Sequence, residues 1–588
     1  MRDAQQTPSE AFPLSSAQRS IWFAQQLEPD VPICIAQYVD LHGDLDIDLL
    51  RRAGRTAGAE FQSAFLRVID VDGEPHQFVD PALENQDIPV LDFRDEPDPL
   101  AAARTWMDAD YATPVDLARD TLVNMTILQV ADRHYLWYSR IHHVALDGYA
   151  AMTVVNRIAE LYTAAFEGRD PEPARAADLR TLYDWDRDYR ESSRFVADRD
   201  YWVGRVAGMD AGTTLARRTG PVAAHSALTG TALPEELVRD LTATETSTVS
   251  SSSAVLVAAF ATYLSRLTGH DDVVVNLPVS ARTTALVRRS GGMLVNTVPL
   301  HIRVDPDDTR EALVGRAQLE LTGALRHQRC SLEDVRRETG AAGDSSRYAG
   351  PQINIMLFDQ RIQLGPLRGD FHIMTSGPVE DLLVNIYQSG TPARTFVDFR
   401  GNPNRYDEDE LRIHHERFVT LLDDFVRAAA GTAVDRIHPE SAAIGRRVRR
   451  TAATAAFWER TLAGAPERLE LPALRRRPAQ PSGTAELDVT IPADLPALTD
   501  LAGGGANLPR VLHAALAVLV ARLTVSEDTV VGMPAGATVL PLRIPVFGAE
   551  SFGTVLARVH DVVAGALSHA DVSAETLERA ADLMLPVV

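Results

Sequence analysis

The sequence predicts an α/β protein with two lobes and a partial copy of the second lobe, and three observations support this prediction. Segments rich in β-branched and aromatic residues alternate along the chain with amphipathic helical segments, for example 133–144 followed by 151–166. A stretch rich in charge, proline and alanine at 167–178 predicts a linker between the lobes. Finally, part of the second lobe recurs near the C-terminus, which indicates an internal repeat.

The first lobe is predicted to span 11–170, and its strand signals lie at 36–43, 123–130 and 133–144. The second lobe is predicted to span 179–438. The segment 440–455 has no strand signal and contains a cluster of Arg446, Arg447, Arg449 and Arg450, which we interpret as a solvated linker.

The repeat occupies 456–588 and is a truncated, degenerate copy of the second lobe. Four segments recur: 200–208 as 456–464, 265–279 as 521–535, 297–304 as 539–546, and 315–328 as 557–570. The copy contains neither a first lobe nor the HHxxxDG sequence of residues 142–148. Because a lobe cut before its last strands has an unpaired sheet edge, we expect 456–588 to pack against the preceding domain or a partner.

Composition excludes several classes of function. The 588 residues are 45% hydrophobic, and 81 acidic residues against 58 basic ones give a formal charge of -23, which argues against nucleic acid or anionic membrane as the main partner. The sequence contains no lysine, so it has no phosphate-binding loop of the GK[ST] type. It also has no apolar run near 18 residues and no apolar signal core at its N-terminus, which predicts a cytoplasmic location without a membrane.

Metal ligation is not expected either. The two cysteines, Cys34 and Cys330, are far apart and belong to no metal-ligand spacing, which fits a reduced cytoplasmic protein. No HExxH sequence is present, so we predict no metal site.

The sequence HHVALDG at 142–148 is the strongest functional signal. It lies between a predicted strand and a predicted helix, with Asp147 at the position of a helix N-cap. Since adjacent side chains on a strand point to opposite faces, we expect His143 to face a cleft and His142 to turn into the interior, where its ring could hold the loop. The alternative is a pair of structural histidines beside a capping aspartate.

Other sequences that suggest chemistry have simpler explanations. The pair His414–His415 has no following DG and lies in a helical pattern, so we interpret it as part of a helix surface. The serine run at 246–256 has no GxSxG context, and a polar helix start explains it. The glycines at 503–505 lack the GxGxxG frame of a dinucleotide loop.

Several motifs resemble those of the condensation domains of nonribosomal peptide synthetases, which belong to the chloramphenicol-acetyltransferase-like superfamily. The similarity covers about 11–440, and "IWFAQQL", "YSRIHHVALDGYAA" and "YAGPQINIMLFD" are most similar to domains of enterobactin- and bacillibactin-type siderophore synthetases. The segments that resemble family motifs are 13–27, 142–148, 182–189, 291–300, 327–335 and 344–359.

This resemblance implies a fold and a reaction. Two chloramphenicol-acetyltransferase-like lobes would form a V-shaped pseudo-dimer, with a tunnel for phosphopantetheine arms carried by donor and acceptor carrier proteins. The chain itself would bind no cofactor. The donor would arrive in trans, with adenylation enzymes involved indirectly, and transfer of an acyl or peptidyl group to an acceptor amine would form an amide.

The resemblance also assigns residue roles. His143 would be the catalytic residue, with His142 in support, and Asp147 would be structural, paired with an arginine for which we nominate Arg282. Gly148 would let the backbone approach the pantetheine arm, since a Cβ there would crowd it. Three further residues are expected at the substrate tunnel: Asn296, Ser346 and Arg347.

One motif departs from the family pattern and leaves alternatives open. Where the family has a sequence like RHExxLRTxF, this chain has "EFQSAFLRV" at 60–68, with Phe61 and Phe65 in place of the expected histidine and arginine. The change could alter packing or site geometry. The alternatives are a catalytically weak module that docks carrier proteins, or a related acyltransferase that makes an ester or uses acyl-CoA.

Overall fold

The computed structural model describes residues 10–84, 86–207, 213–247, 251–339, 350–357, 362–389, 394–466, 508–536 and 538–581. The chain divides into two compact units, Met1–Ala442 and Ala443–Val588. We call them unit 1 and unit 2.

The strands of unit 1 follow the alternating pattern expected from the sequence. Within the described residues they are β1 Phe12–Pro13, β2 Cys34–His42, β3 Leu66–Val71, β4 Glu74–Val79, β5 Val90–Asp92, β6 Val123–Ala131, β7 His134–His142, β8 Ala227–Ala232, β9 Asp272–Val279, β10 Asn296–Arg303, β11 Gln352–Met356, β12 Ile362–Leu364, β13 Leu367–Ser376, β14 Leu382–Ser389 and β15 Arg394–Gly401.

The helices of unit 1 alternate with these strands. They are α1 Ser16–Leu27, α2 Ile47–Phe61, α3 Pro99–Tyr111, α4 Gly148–Phe166, α5 Leu179–Arg190, α6 Ser193–Val206, α7 Glu235–Ser247, α8 Ser252–Thr268, α9 Ala285–Arg288, α10 Arg310–Arg326, α11 Leu332–Glu338 and α12 Glu408–Arg427. A further helix, α13 Pro439–Leu462, contains the division between the two units.

Two six-stranded sheets form the two lobes of unit 1. One sheet has the order β12-β13-β2-β7-β6-β5 and the other has the order β10-β9-β11-β14-β15-β8. In the first lobe, α2 and α4 pack on one face of the sheet and α3 covers the other. In the second lobe, α8 is buried along almost its whole length at the centre of the core. The strands and helix predicted at 36–43, 123–130, 133–144 and 151–166 are confirmed.

Two strands cross from the second lobe into the sheet of the first lobe, which the sequence division at 179 did not anticipate. The strands β12 and β13 follow the second lobe's β11 in the chain, but they lie in the first lobe's sheet, where β13 pairs with β2. Ser376 is the register partner of Ile35, and the neighbouring Cys34 is the partner of His142. This crossing of β12 and β13 therefore brings the end of β13 close to the end of β7.

One sequence interpretation needs correction. The segment 440–455 lies within the continuous helix α13, since its alanines and arginines are good helix formers, and its role as a linker stays a prediction. His414 and His415 lie in α12 as expected, but they are not a solvent-facing surface. His415 is buried and its Nε2 lies 3.0 Å from the carbonyl oxygen of Val397, while Nδ1 of His414 lies 2.7 Å from the hydroxyl of Tyr263.

Unit 2 reproduces part of the second lobe element by element. In the described residues its helices are the part of α13 after Ala442, Leu508–Thr524, Phe552–Ser568 and Ala574–Ala581, and its strands β16 Asp528–Ala535 and β17 Thr538–Pro545 form an antiparallel pair. Helix Leu508–Thr524 is 17 residues long, which is also the length of α8. An indole–carbonyl hydrogen bond is repeated as well, between Trp202 and His327 in unit 1 and between Trp458 and His569 in unit 2.

None of the helices in the described ranges combines the length and the apolar character needed to cross a membrane.

Candidate active site

The HHxxxDG loop connects the end of β7 to the start of α4. Asp147 is the N-cap of α4, and its Oδ1 accepts a hydrogen bond of 2.9 Å from the Ala150 amide, as predicted from the sequence. Between these two ends, Val144, Ala145 and Leu146 are buried, and the amide of Ala145 donates to the carbonyl of His142. Apolar packing and a tight turn thus fix the loop.

His142 turns into the interior and holds the loop. Its Nδ1 accepts a hydrogen bond of 3.1 Å from the Val144 amide, so the proton lies on Nε2, which donates to Oε1 of Gln25 at 3.1 Å. The Gln25 amide in turn donates to backbone carbonyls just beyond α1, including that of Val31. Burial lowers the pKa of His142 to about 3, assisted by the charges of His143 and Arg140. The ring is therefore neutral at pH 7.

His143 is half-buried and contacts the end of β13, which crosses from the second lobe into the first lobe's sheet. Its Nε2 lies 3.1 Å from the carbonyl oxygen of Ser376, and because a carbonyl can only accept, Nε2 carries the proton. Nδ1 is then the unprotonated nitrogen; it is buried and has no hydrogen-bond partner among the residues that the structure describes. Burial lowers the pKa of His143, although the hydrogen bond to Ser376 and the charge of Asp147 oppose this shift.

Asp147 joins the two lobes through a buried cluster of donors. Its Oδ2 accepts hydrogen bonds from Nη1 of Arg282 at 2.8 Å and from the amides of Leu294 at 2.8 Å and Val295 at 2.9 Å. The side chains of Asp147 and Arg282 are both 0% exposed. Nη2 of Arg282 donates to the carbonyl of Gly292 at 3.0 Å. The aspartate therefore fixes the start of α4 and the GGMLVN segment of the second lobe at the same time.

Gly148 and Tyr149 lie at the exposed start of α4. A Cβ added to Gly148 would meet no protein atom within 4 Å, so the space beside this residue is open. The guanidinium of Arg282 lies 4.8 Å from the centre of the Tyr149 ring, which adds a cation–π contact to the buried ion pair.

The residues expected at the substrate tunnel are placed as follows. The side-chain amide of Asn296 donates to the carbonyls of Gln328 at 2.9 Å and Cys330 at 2.7 Å, so it fastens the 327–335 segment to the start of β10. Its Oδ1 accepts from the amide of Thr297 at 2.9 Å. Ser346 and Arg347 lie outside the described residues.

Two site residues were missed by sequence reasoning. Ser376 supplies the carbonyl that holds His143, and its own hydroxyl is buried without a partner among the described residues. Gly377 has φ +103, and a Cβ there would lie 3.3 Å from Cδ2 and Nε2 of His143. No local sequence pattern marks these residues, because only the pairing of β13 with β2 brings them to the site.

The altered second motif is packed into an apolar environment. Phe61 ends α2 and Phe65 follows it, and both side chains are buried. A Cβ added to Gly291 of the second lobe would lie 2.8 Å from the Ser63 hydroxyl and 3.4 Å from Cβ of Phe61. The motif therefore lies against the second lobe at Phe61 and Ser63.

One group of potential metal ligands lies far from this site. Within the described residues, ligand atoms of Asp40, His42 and His134 lie within 4.8 Å of one another, and His134 Nε2 is 2.7 Å from Asp40 Oδ1. His134 begins β7 and His142 ends it, a separation of roughly 26 Å at about 3.3 Å per residue. This group therefore takes no part in the chemistry at His143.

Two α/β lobes, with a histidine-bearing HHxxxDG loop between them, define an acyltransferase of the chloramphenicol-acetyltransferase-like fold. The family model for the condensation domain matches residues 9–432, and the chain belongs to this family. The resemblance and the fold class predicted from the sequence are thereby confirmed. Condensation domains are acyltransferase-type enzymes that form amide bonds in nonribosomal peptide synthesis.

Similar proteins include large synthetases. The chain is 34% identical over 413 residues to a dimodular nonribosomal peptide synthase of Bacillus subtilis, 36% over 426 residues to an isonitrile lipopeptide synthase of Streptomyces coeruleorubidus, and 30% over 429 residues to enterobactin synthase component F of Escherichia coli. These matches cover 70%, 71% and 71% of the chain, but only 17%, 28% and 32% of the three relatives.

The chain is also similar to solved structures of single condensation domains, along almost the whole length of those domains. A starter condensation domain of rhizomide synthetase in complex with C8-CoA and Leu-SNAC has a TM-score of 0.68 and 33% identity, covering 73% of this chain and 97% of that one. The first condensation domain of the calcium-dependent antibiotic synthetase, in complex with a substrate analogue, has a TM-score of 0.67 and 30% identity, covering 73% and 99%.

Proposed function

We propose that unit 1 transfers an acyl or peptidyl group from a donor thioester to the amine of an acceptor held as an aminoacyl thioester. Both substrates would be carried on the phosphopantetheine arms of carrier proteins, with the donor delivered in trans after activation by an adenylation enzyme. We place this reaction in the cytoplasm, where loaded carrier proteins are made. The observation that supports the proposal best is a neutral imidazole, His143, held at the junction of the two lobes.

In this reaction the amine nitrogen bonds to the thioester carbonyl carbon and the C–S bond breaks. One N–H proton is lost from the amine, and the donor thiol leaves with a proton. The lowered pKa keeps the His143 ring neutral near pH 7, so the ring can take up that amine proton once the amine reaches it. The same ring can also orient the amine and stabilise the tetrahedral intermediate by hydrogen bonding.

The other residues of the site position this imidazole. His142 and its hydrogen bond to Gln25 hold the loop from the inside, and the Asp147–Arg282 pair fixes the start of α4 against the second lobe. The Ser376 carbonyl sets the orientation of the His143 ring. A general base acts only when it is within hydrogen-bond reach of the proton, so these contacts support catalysis without touching the substrates.

The experiment is single-turnover amide formation between loaded donor and acceptor carrier proteins, measured by mass spectrometry. We expect His143→Ala to lower the rate by about 10²-fold or more, as removal of a positioned acid–base group does. His301→Ala is the matched control, because His301 is also a partly buried strand histidine near an aspartate but lies on β10. Equal rates for the wild type and His143→Ala would reject the assigned role.

A second candidate uses the same site with a different donor carrier. The similar starter domain of rhizomide synthetase was solved with C8-CoA, and sequence analysis left an acyl-CoA-dependent relative open. Turnover of octanoyl-CoA at a rate equal to that of the octanoyl carrier protein would favour this candidate. Ester formation is distinguished by offering a hydroxyacyl acceptor in place of the aminoacyl one.

The altered second motif leaves a docking module as a third candidate. Carrier-protein binding by a wild-type chain that makes no amide or ester would support it. Restoring the family histidine with Phe61→His tests whether the motif limits turnover. If that substitution raises the rate while the fold is preserved, the phenylalanine is the cause of weak activity.

A further inference from the structure

Two histidines and an aspartate meet on the two central strands of the first lobe's sheet, at the end away from His143. His42 is the last residue of β2, His134 is the first residue of β7, and the two are register partners. Asp40 precedes His42 by two residues on β2, so the side chains of both point to the same face of the sheet. We call Asp40, His42 and His134 the strand-end triad.

The donor atoms of the strand-end triad lie close together. Oδ1 of Asp40 is 2.7 Å from Nε2 of His134 and 3.3 Å from Nε2 of His42, and the ligand atoms of all three lie within 4.8 Å of one another. The two imidazole rings are stacked, with centroids 4.0 Å apart and planes inclined by 23°. Both rings therefore present the same nitrogen to one carboxylate oxygen.

These distances fit the coordination shell of a small divalent transition metal. Zn²⁺ binds imidazole nitrogen at about 2.0–2.1 Å and carboxylate oxygen at about 2.0–2.2 Å, so neighbouring ligand atoms of a tetrahedral shell are roughly 3.3 Å apart. The distance from His42 to Asp40 is close to this value, and that from His134 is slightly shorter because a hydrogen bond joins those atoms. Two imidazoles with one carboxylate favour Zn²⁺ over Ca²⁺ or Mg²⁺, which prefer oxygen ligands.

The sheet holds the triad in place, and its surroundings favour a cation. The ladder between β2 and β7 runs without interruption from His42 to Cys34, so little backbone freedom remains to be lost on binding. Asp370 on β13 is the register partner of Asp40 and adds a second carboxylate to the same face. The His42 side chain is 69% exposed, against 23% for Asp40, so an ion can enter from the His42 side.

We propose that the strand-end triad binds one Zn²⁺ ion, with Nε2 of His42, Nε2 of His134 and Oδ1 of Asp40 as protein ligands and water in the fourth position. Each ring then carries its proton on Nδ1, and two metal–ligand bonds replace the hydrogen bond between His134 and Asp40. The ion links β2 to β7 and stabilises the sheet whose other end carries His142. Sequence spacing did not reveal the site, because its ligands lie on two strands that are far apart in the chain.

The test is isothermal titration calorimetry of the full-length chain, freed of metal with EDTA, with ZnCl₂ as the only added ligand. We expect one tight site per chain in the wild type and a Kd at least about tenfold weaker in His42→Ala and in His134→Ala, since each removes one ligand. Zn²⁺ at about 100 times the wild-type Kd should raise the Tm of the wild type and leave that of the double variant His42→Ala/His134→Ala unchanged.

His301→Ala is the matched control, because Nε2 of His301 lies 3.2 Å from Oδ1 of Asp272 but belongs to no group of three potential ligands in the described residues. Its Kd for Zn²⁺ should stay within about twofold of wild type, and circular dichroism checks that each variant is folded. Absence of a stoichiometric site in the wild type, or a wild-type Kd in either triad variant, would overturn the proposal. A Tm that Zn²⁺ does not raise would overturn the stabilising role. None of these results depends on the catalytic role of His143.

Discussion

Replacing Asp147 with asparagine changes one oxygen to an amide and leaves the shape of the side chain almost unaltered. In the native site, Oδ1 accepts one hydrogen bond from Ala150, and Oδ2 accepts three from Arg282, Leu294 and Val295. Asparagine has a single acceptor oxygen. In either orientation of its amide, an NH₂ group must face at least one donor, and the buried Arg282 loses its counter-charge.

The expected cost follows from these contacts. The better orientation keeps the three donors on the oxygen and loses the N-cap bond, worth about 1 kcal/mol. Breaking a buried ion pair by neutralising one partner costs about 3–5 kcal/mol, because the remaining charge stays buried. Since both side chains are fully buried, we expect the free energy of unfolding of unit 1 to fall by about 4–6 kcal/mol.

The change can be measured by hydrogen exchange and mass spectrometry at increasing urea, on peptides covering 140–152 and 288–300. Asp44→Asn is the control, because Asp44 forms an exposed ion pair with Arg133 and should cost less than about 1 kcal/mol. In the double variant Asp147→Asn/Arg282→Met, the unpaired charge is gone, so the loss should be smaller than the sum of the single losses by about 2 kcal/mol. Additive losses, or a loss below about 1 kcal/mol for Asp147→Asn, would refute the reasoning.

Two further predictions concern the histidine loop. Gly377→Ala introduces a Cβ at a residue with φ +103, where it would lie 3.3 Å from the His143 ring. We therefore expect the rate of amide formation in the single-turnover assay to fall by about tenfold or more, while carrier-protein binding is retained. An unchanged rate would contradict this contact. The folded-state pKa of His142, about 3, lies below the value near 6.5 of an unfolded chain, so its stabilising contribution is complete above pH 6.5 and decreases as the pH falls. Between pH 7 and pH 5, protonation of His142 alone should lower the free energy of unfolding by about 2 kcal/mol. In urea unfolding, this free energy should therefore fall less for His142→Asn than for the wild type, and equal decreases would contradict the prediction.

The sequence alone determined the local part of the site. The strand–loop–helix order around HHVALDG, the N-cap at Asp147 and the inward turn of His142 follow from side-chain alternation on a strand and from capping chemistry, and the structure has all three. The repeat was equally visible, because β16 and β17 preserve the residue pattern and the register of β9 and β10. The choice of Arg282 as the partner of Asp147 rested on family resemblance, and in the structure the two side chains form an ion pair.

Only the tertiary structure decided what surrounds the imidazole of His143. Ser376 is 233 residues from His143 in the chain, and it reaches the ring because β13 crosses into the first lobe's sheet. A strand pattern specifies which residues face one side of a sheet, but it does not specify the neighbouring strand, because backbone hydrogen bonds are the same for every sequence. For the same reason, the apolar pattern of helix Leu508–Thr524 does not specify which of its leucines are covered, and the structure shows Leu512, Leu516, Leu519 and Leu523 exposed.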